Sequence, residues 1–149
     1  MGKIRVLVVD DSYLMRKLLT DILKSDSEIE IIDEGKNGYD AIHKTKDLKP
    51  DVVTLDLQMP VVDGMQALEK IMAETPTPVI IISAYTMEEA QVTLECLRRG
   101  AVDFIAKPGG TVSTDILKIR DMVITKVKNA SRARVERIEP MAEAKKNRD

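Results

Sequence analysis

Asp51-Val-Val-Thr-Leu-Asp-Leu-Gln-Met-Pro60 is the stretch that decides how the rest of the chain is read. Val52 to Asp56 is an unbroken, mostly apolar run, as expected of a strand buried on both faces in a parallel sheet. Pro60 forbids continuation as a central strand. Asp56 is therefore expected at the carboxyl end of a central strand, where the loop begins. That edge of an open α/β sheet is where ligands bind. A carboxylate there must offset its desolvation, and a nucleophile beside a bound cation would do so.

Composition bounds what surrounds this element. A chain of 149 residues suits one domain, because at this size roughly 68–70% of the unfolded surface is buried. With 44% apolar and 32% charged residues the sequence reads as soluble and globular. No run of about 18 apolar residues occurs, so no membrane span is expected. Met1 leads almost directly into strand-like Ile4–Val9 with no cleavage-site pattern, so no signal peptide is expected. Cys96 has no cysteine partner and is expected as a small buried hydrophobe, in a reducing, cytoplasmic setting. A net charge of −2 supplies no drive towards nucleic acid.

Taken in order, the chain alternates strand and helix. Ile4–Val9 ends at Asp10-Asp11, and Ser12 can cap a helix with Met15, Leu18, Leu19, Ile22 and Leu23 inward and Arg16, Lys17, Asp21 and Lys24 outward. Ile29–Ile32 is a second strand. Asn37-Gly38 has hairpin chemistry, but Ala41, Ile42, Thr45 and Leu48 recur as in a helix, so it reads as a loop into one. Strand three, Val52–Asp56, precedes a helix over Met65–Ala73. Val79–Ile82 runs into Ser83-Ala84. Glu88–Arg99 is helical with Gly100 at its C-terminal cap, and Val102–Ala106 ends at Lys107-Pro108. Ser113 or Thr114 can cap a long last helix carrying Ile116, Ile119, Val123 and Val127, with its pattern running to about Arg137. Residues 1–128 are read as one domain and 129–149 as a helical linker extension followed by a disordered tail. The alternation predicts a doubly wound five-stranded parallel sheet with helices on both faces.

A parallel sheet brings the strand ends Asp10-Asp11, Asp56, Ser83 and Lys107 to one edge. Clustered carboxylates repel and cannot all ionise without compensation, which a hard divalent cation such as Mg²⁺ supplies. Cys and His do not cluster, so zinc is not expected. Asp56 would attack phosphorus. The cation and Lys107 would neutralise the oxygens of the transferring group, and Ser83 could donate to one of them. Each residue alone has a plainer role: a helix-terminal acidic pair, a loop serine, a surface lysine. His43 is expected on a solvent-facing helix surface.

Val-Leu-Val-Val-Asp-Asp-Ser, Asp-Val-Val-Thr-Leu-Asp-Leu-Gln-Met-Pro, Ile-Ile-Ile-Ser-Ala and Asp-Phe-Ile-Ala-Lys-Pro, in this order, resemble the receiver domain of two-component response regulators over about 3–126. The resemblance implies a flavodoxin-like (βα)5 fold with strand order 2-1-3-4-5. It implies Asp56 as acceptor of a phosphoryl group from a histidine kinase, and Mg²⁺ held by Asp10, Asp11, Asp56 and the backbone carbonyl of Gln58. It further implies Ser83 and Phe104 as switch residues, Lys107 as the phosphate-binding lysine, and a cis Lys107-Pro108 peptide. Ser83 stands where Thr is commoner and Phe104 where Tyr is common.

Lys107-Pro-Gly-Gly-Thr-Val-Ser113 followed by a long basic helix is similar to the receiver half of chemotaxis protein-glutamate methylesterases. Their esterase chemistry needs a Ser/His/Asp set; with His43 the only histidine, it is not expected in this chain. The implied partners are a chemotaxis-type histidine kinase and an output domain or partner protein on the face of the fourth helix, fifth strand and fifth helix. Lys118, Arg120, Lys126, Lys128, Arg132, Arg134 and Arg137 are read as a solvated linker face rather than a nucleic-acid surface. The alternatives are a stand-alone regulator acting by protein binding, a pseudo-receiver, and a phosphatase of the haloacid dehalogenase type. The last would place a carboxylate at Gln58.

Overall fold

The computed structural model describes residues 2–84, 86–107 and 116–139. Strands β1 (Ile4–Val9), β2 (Ile29–Gly35), β3 (Val52–Asp56), β4 (Val79–Ser83) and β5 (Asp103–Ala106) alternate with helices α1 (Tyr13–Lys24), α2 (Gly38–Leu48), α3 (Gly64–Glu74), α4 (Met87–Arg98) and α5 (Ile116–Ser131). All pairings are parallel and the order is β2-β1-β3-β4-β5, as the resemblance implied. The β-branched runs that lack polar alternation form the strands covered on both sides.

The period-two alternation of side chains divides the core into two layers. Leu7, Val9, Val53, Leu55, Val79 and Ile81 face α2, α3 and α4, where Ala41, Leu68, Ile71, Met72 and Cys96 complete the packing. Val6, Val8, Val52, Ile80, Ile82 and Ile105 face α1 and α5, against Leu23, Val123 and Val127. Cys96 is fully buried, and burial pushes its thiol up to about 11.

Local chemistry sets the helix starts. Ser12 accepts from the Met15 N–H at 3.3 Å, and Asn37 accepts from the Asp40 N–H at 2.8 Å. Asn37-Gly38 thus opens α2 and makes no hairpin. Asp63 and Gln66 form a reciprocal capping box at α3. Gly100 lies at φ 113, the left-handed region that favours glycine, just after α4. The Ser113 and Thr114 caps, the Lys107-Pro108 peptide and the tail from Met141 lie outside the described residues.

Two expectations are corrected. Arg16 is buried rather than outward, and Leu18 is 36% exposed rather than inward. Arg16 lies three and seven residues before Leu19 and Leu23, on the buried stripe of α1, and its guanidinium finds polar partners there. Helix α5 ends at Ser131 instead of continuing to Arg137. Beyond it, residues 133–139 form a non-helical strap. Val135 packs among the residues beneath α3 and α4, the Ile138 N–H donates to the Met72 carbonyl at 3.0 Å, and Arg137 Nε donates to the Ala73 carbonyl at 2.8 Å. These acceptors belong to the last turn of α3, where helix carbonyls lack intrahelical donors. Burial and these bonds override the helical periodicity of the segment. Lys126 and Lys128 of the basic stretch are held by Asp103 and by Asp26 and Glu28.

Val135→Ala is expected to lower stability by about 1 kcal/mol, read as a shift of the urea midpoint. Exposed Arg134→Ala in the same strap should leave the midpoint nearly unchanged. Equal midpoints for both variants would contradict the strap's packing.

Candidate functional site

Asp56 closes β3 and is fully buried. Its backbone is fixed from two sides. It pairs in register with Ile82, and the next residue, Leu57, donates to the Ile82 carbonyl at 3.3 Å. On the other side Gly64 at the start of α3 approaches so closely that an added Cβ would lie 2.3 Å from the Asp56 carbonyl oxygen. Only glycine fits there. Between them Val61 sits at φ 65, an uncommon conformation for a β-branched residue.

Asp10 follows β1. Its N–H donates to the Gly35 carbonyl at 3.0 Å, its Oδ1 accepts from the Ser12 N–H at 2.9 Å, and its carbonyl accepts from Arg16 Nη1 at 2.7 Å. Arg16 also pairs with Glu34 at 3.2 Å, tying the ends of β1 and β2 together. Sequence reading missed Arg16 here; the signal was its place on the buried stripe of α1.

Carboxylate oxygens of Asp10, exposed Asp11 and Asp56 lie within 4.8 Å of one another. Asp10 Oδ2 and Asp56 Oδ2 are buried without a hydrogen-bond partner among the described residues. Lys107, just beyond β5, places Nζ 2.9 Å from Asp56 Oδ1 and donates its N–H to the Ser83 carbonyl at 2.8 Å. Ser83 is buried at the end of β4. Gln58 is exposed and lines a cavity of about 620 Å³ with Asp11, Met59, Asp63 and Glu88. The predicted strand-end residues are thus brought together. Phe104 stands apart: it is 40% exposed on β5, with Lys126 Nζ 4.8 Å from the ring centroid. Beside it a cavity of about 510 Å³ runs from Ser83 to Met87 and Leu94.

Burial pushes the Asp56 carboxyl up to about 7; the Lys107 ammonium opposes this and the Asp10 charge adds to it. Burial also raises Asp10, against the Ser12 N–H. Burial alone would lower Lys107, but Asp56 more than offsets it and the ammonium is held above its ordinary value. The donor set is all hard oxygen, two of its oxygens are buried without partners, and the carboxylates crowd one another. That combination fits a divalent cation of the Mg²⁺ type.

Residues 6–119 match the response regulator receiver domain family, and the chain belongs to it. It is 49% identical over 133 residues to a protein-glutamate methylesterase/protein-glutamine glutaminase of Bacillus licheniformis, covering 89% of this chain and 37% of that protein. A protein of the same name from Methanococcus maripaludis is 50% identical over 135 residues, covering 91% and 37%. The chain therefore spans little more than a third of the length of these relatives. The crystal structure of the response regulator domain of Thermotoga maritima CheB superposes with a TM-score of 0.80 at 43% identity, covering 89% of this chain and 98% of that one. A chain of the CheX–CheY–BeF3–Mg²⁺ complex from Borrelia burgdorferi gives 0.69 at 36% identity, covering 84% of this chain and 90% of that one.

The pKa of Asp56 has a consequence for stability. The folded chain holds this proton up to about 7, whereas the unfolded chain releases it near 3.8. Between these values the folded state binds more protons, so this group's contribution to stability falls as pH rises. In metal-free buffer at pH 8, Asp56→Asn is expected to be more stable than the wild type by on the order of 1–2 kcal/mol, with a smaller difference at pH 4. Paired urea melts read this, and a variant less stable than wild type at pH 8 would contradict it.

Proposed function

We propose that the chain is a phosphorylation-activated signalling switch in which Asp56 accepts a phosphoryl group from a histidine kinase. The observation that carries this reading is the buried Asp56 carboxylate, with one oxygen unpartnered and the other 2.9 Å from Lys107. A carboxylate so placed is desolvated, oriented and has one oxygen without a partner. Its oxygen forms the new bond to phosphorus as the N–P bond of the donor phosphohistidine breaks; the electron pair of that bond stays on the ring, which leaves as neutral imidazole with the proton already on its other nitrogen. Lys107 neutralises charge on the phosphoryl oxygens, and the Ser83 hydroxyl, two strand ends away from Asp10, donates to one of them. Asp10, Asp11 and Asp56, with the Gln58 carbonyl, would hold Mg²⁺, which supplies charge neutralisation during transfer. Hydrolysis of the acyl phosphate then returns the resting chain.

The output follows from the other end of Ser83. Movement of its side chain towards the phosphoryl group vacates space beside the cavity that Phe104 borders. Phe104 filling that space would change a surface on which Met87 is 81% and Leu94 56% exposed. This α4–β5–α5 face is the site offered to a partner. Similarity to the methylesterases points to a chemotaxis kinase upstream and to a methylesterase domain as the regulated partner, in the cytoplasm. No helix among the described residues is long and apolar enough to cross a membrane. Gln58 supplies no general acid or base two residues after Asp56, which argues against phosphatase turnover.

Incubation with acetyl phosphate and Mg²⁺ should add the mass of one phosphoryl group to the native chain and none to Asp56→Asn. Labelling that survives in the variant would remove Asp56 as the acceptor. Lys107→Ala should take up the group more slowly.

A further inference from the structure

Glu89 is a charged residue buried to 7% exposure in the first turn of α4. Thr86-Met-Glu-Glu89 has the spacing of a capping box, in which the glutamate would return to the N–H of the capping threonine. Half of that box is present: Thr86 Oγ1 accepts from the Glu89 N–H at 3.0 Å. The other half is diverted. The Thr86 N–H donates to the Ala84 carbonyl at 3.0 Å, and Glu89 Oε1 accepts instead from the Ala84 N–H at 3.1 Å. The Thr93 hydroxyl, donating to the Glu89 carbonyl at 2.7 Å, holds the turn from below.

The direction of the Ala84 N–H is fixed by its own peptide. In a trans peptide the C=O and N–H point opposite ways. The Ser83 carbonyl of this unit points to β5, where it accepts from Lys107. The Ala84 N–H therefore points towards β3, whose end is Asp56. It is a backbone donor at the rim of the acidic site, and its present acceptor is an anion from the same chain. Glu89 also lines the cavity shared with Asp11 and Gln58, and its charge reaches Lys107.

We propose that Glu89 is an internal anion that restrains this switch: its carboxylate occupies the Ala84 N–H in the resting chain and must release it when a phosphoryl group arrives on Asp56. Glu89 then acts as a positioning residue with two effects. It slows acceptance, because an incoming anion meets both its charge and a donor already taken. It also ties the first turn of α4 to the state of the site, because release of the carboxylate frees that turn to move. The proposal rests on Asp56 being the phosphoacceptor.

The test compares the wild type, Glu89→Gln and Glu30→Gln, the last removing the same charge from an exposed position on β2 away from the site. Initial rates of phosphoryl uptake from acetyl phosphate with Mg²⁺ are read by intact mass. Glu89→Gln should be faster by about fivefold, the low end of couplings between sites, and Glu30→Gln should stay near wild type. In the unphosphorylated chain, the Ala84 amide proton should shift and exchange faster in Glu89→Ala, with the other amide resonances reporting an intact fold. A Glu89→Gln rate no faster than wild type overturns the proposal, as does an equal gain in Glu30→Gln or an unmoved Ala84 amide. A folded wild type that takes up no phosphoryl group overturns the phosphoacceptor reading itself, and this proposal with it.

Discussion

The structure turns on one electrostatic constraint: carboxylates from two neighbouring strand ends are held within 4.8 Å of one another, two of them buried. Like charges this close in a poorly solvated place are unfavourable unless something compensates. Lys107 compensates in part, from a third strand end. The remaining imbalance appears as Asp10 and Asp56 carboxyls that resist ionisation and as oxygens without partners. Such a site is maintained by what surrounds it. Gly64 pressed against the Asp56 backbone and Arg16 clamping the Asp10 carbonyl hold the two carboxylates in place despite their repulsion.

In the proposed switch the same constraint links chemistry to output. Asp56, Ser83 and Lys107 occupy the ends of adjacent strands, and their backbones are cross-linked through the Ile82 and Ser83 carbonyls. Charge added at Asp56 would therefore act on β4 and β5 together, and through them on Phe104 and the first turn of α4. The far end of the molecule is closed differently. The strap from Ala133 to Glu139 meets the Met72 and Ala73 carbonyls at the end of α3 and packs Val135, partly buried, against the core beneath it.

The parts of this arrangement that were legible in the sequence are those governed by short-range rules. Val52–Asp56 and Val79–Ile82 are apolar runs too short and too β-branched for helices, and parallel topology follows from their alternation with helices. Once the sheet is parallel, Asp10, Asp56, Ser83 and Lys107 must share an edge. What escaped depends on tertiary partners. Arg16 looked solvated because its charge outweighed its position on the stripe with Leu19 and Leu23; its bonds to the Asp10 carbonyl and to Glu34 make its burial tolerable. The end of α5 was invisible because Val135 and Ile138 keep helical spacing while being bound by α3. Glu89 carried a helix-cap signature that is real for its backbone and diverted for its side chain.

The most direct measurement of the central electrostatic claim is a calorimetric Mg²⁺ titration of the unphosphorylated chain at pH 6 and pH 8. If the crowded carboxylates form the cation site, binding must displace the proton that burial holds on Asp56 up to about 7. The expected result is tighter binding at pH 8, with proton release at pH 6 that shows as a heat dependent on the buffer. Equal affinity at both pH values with no proton release would contradict a cation site built on these carboxylates.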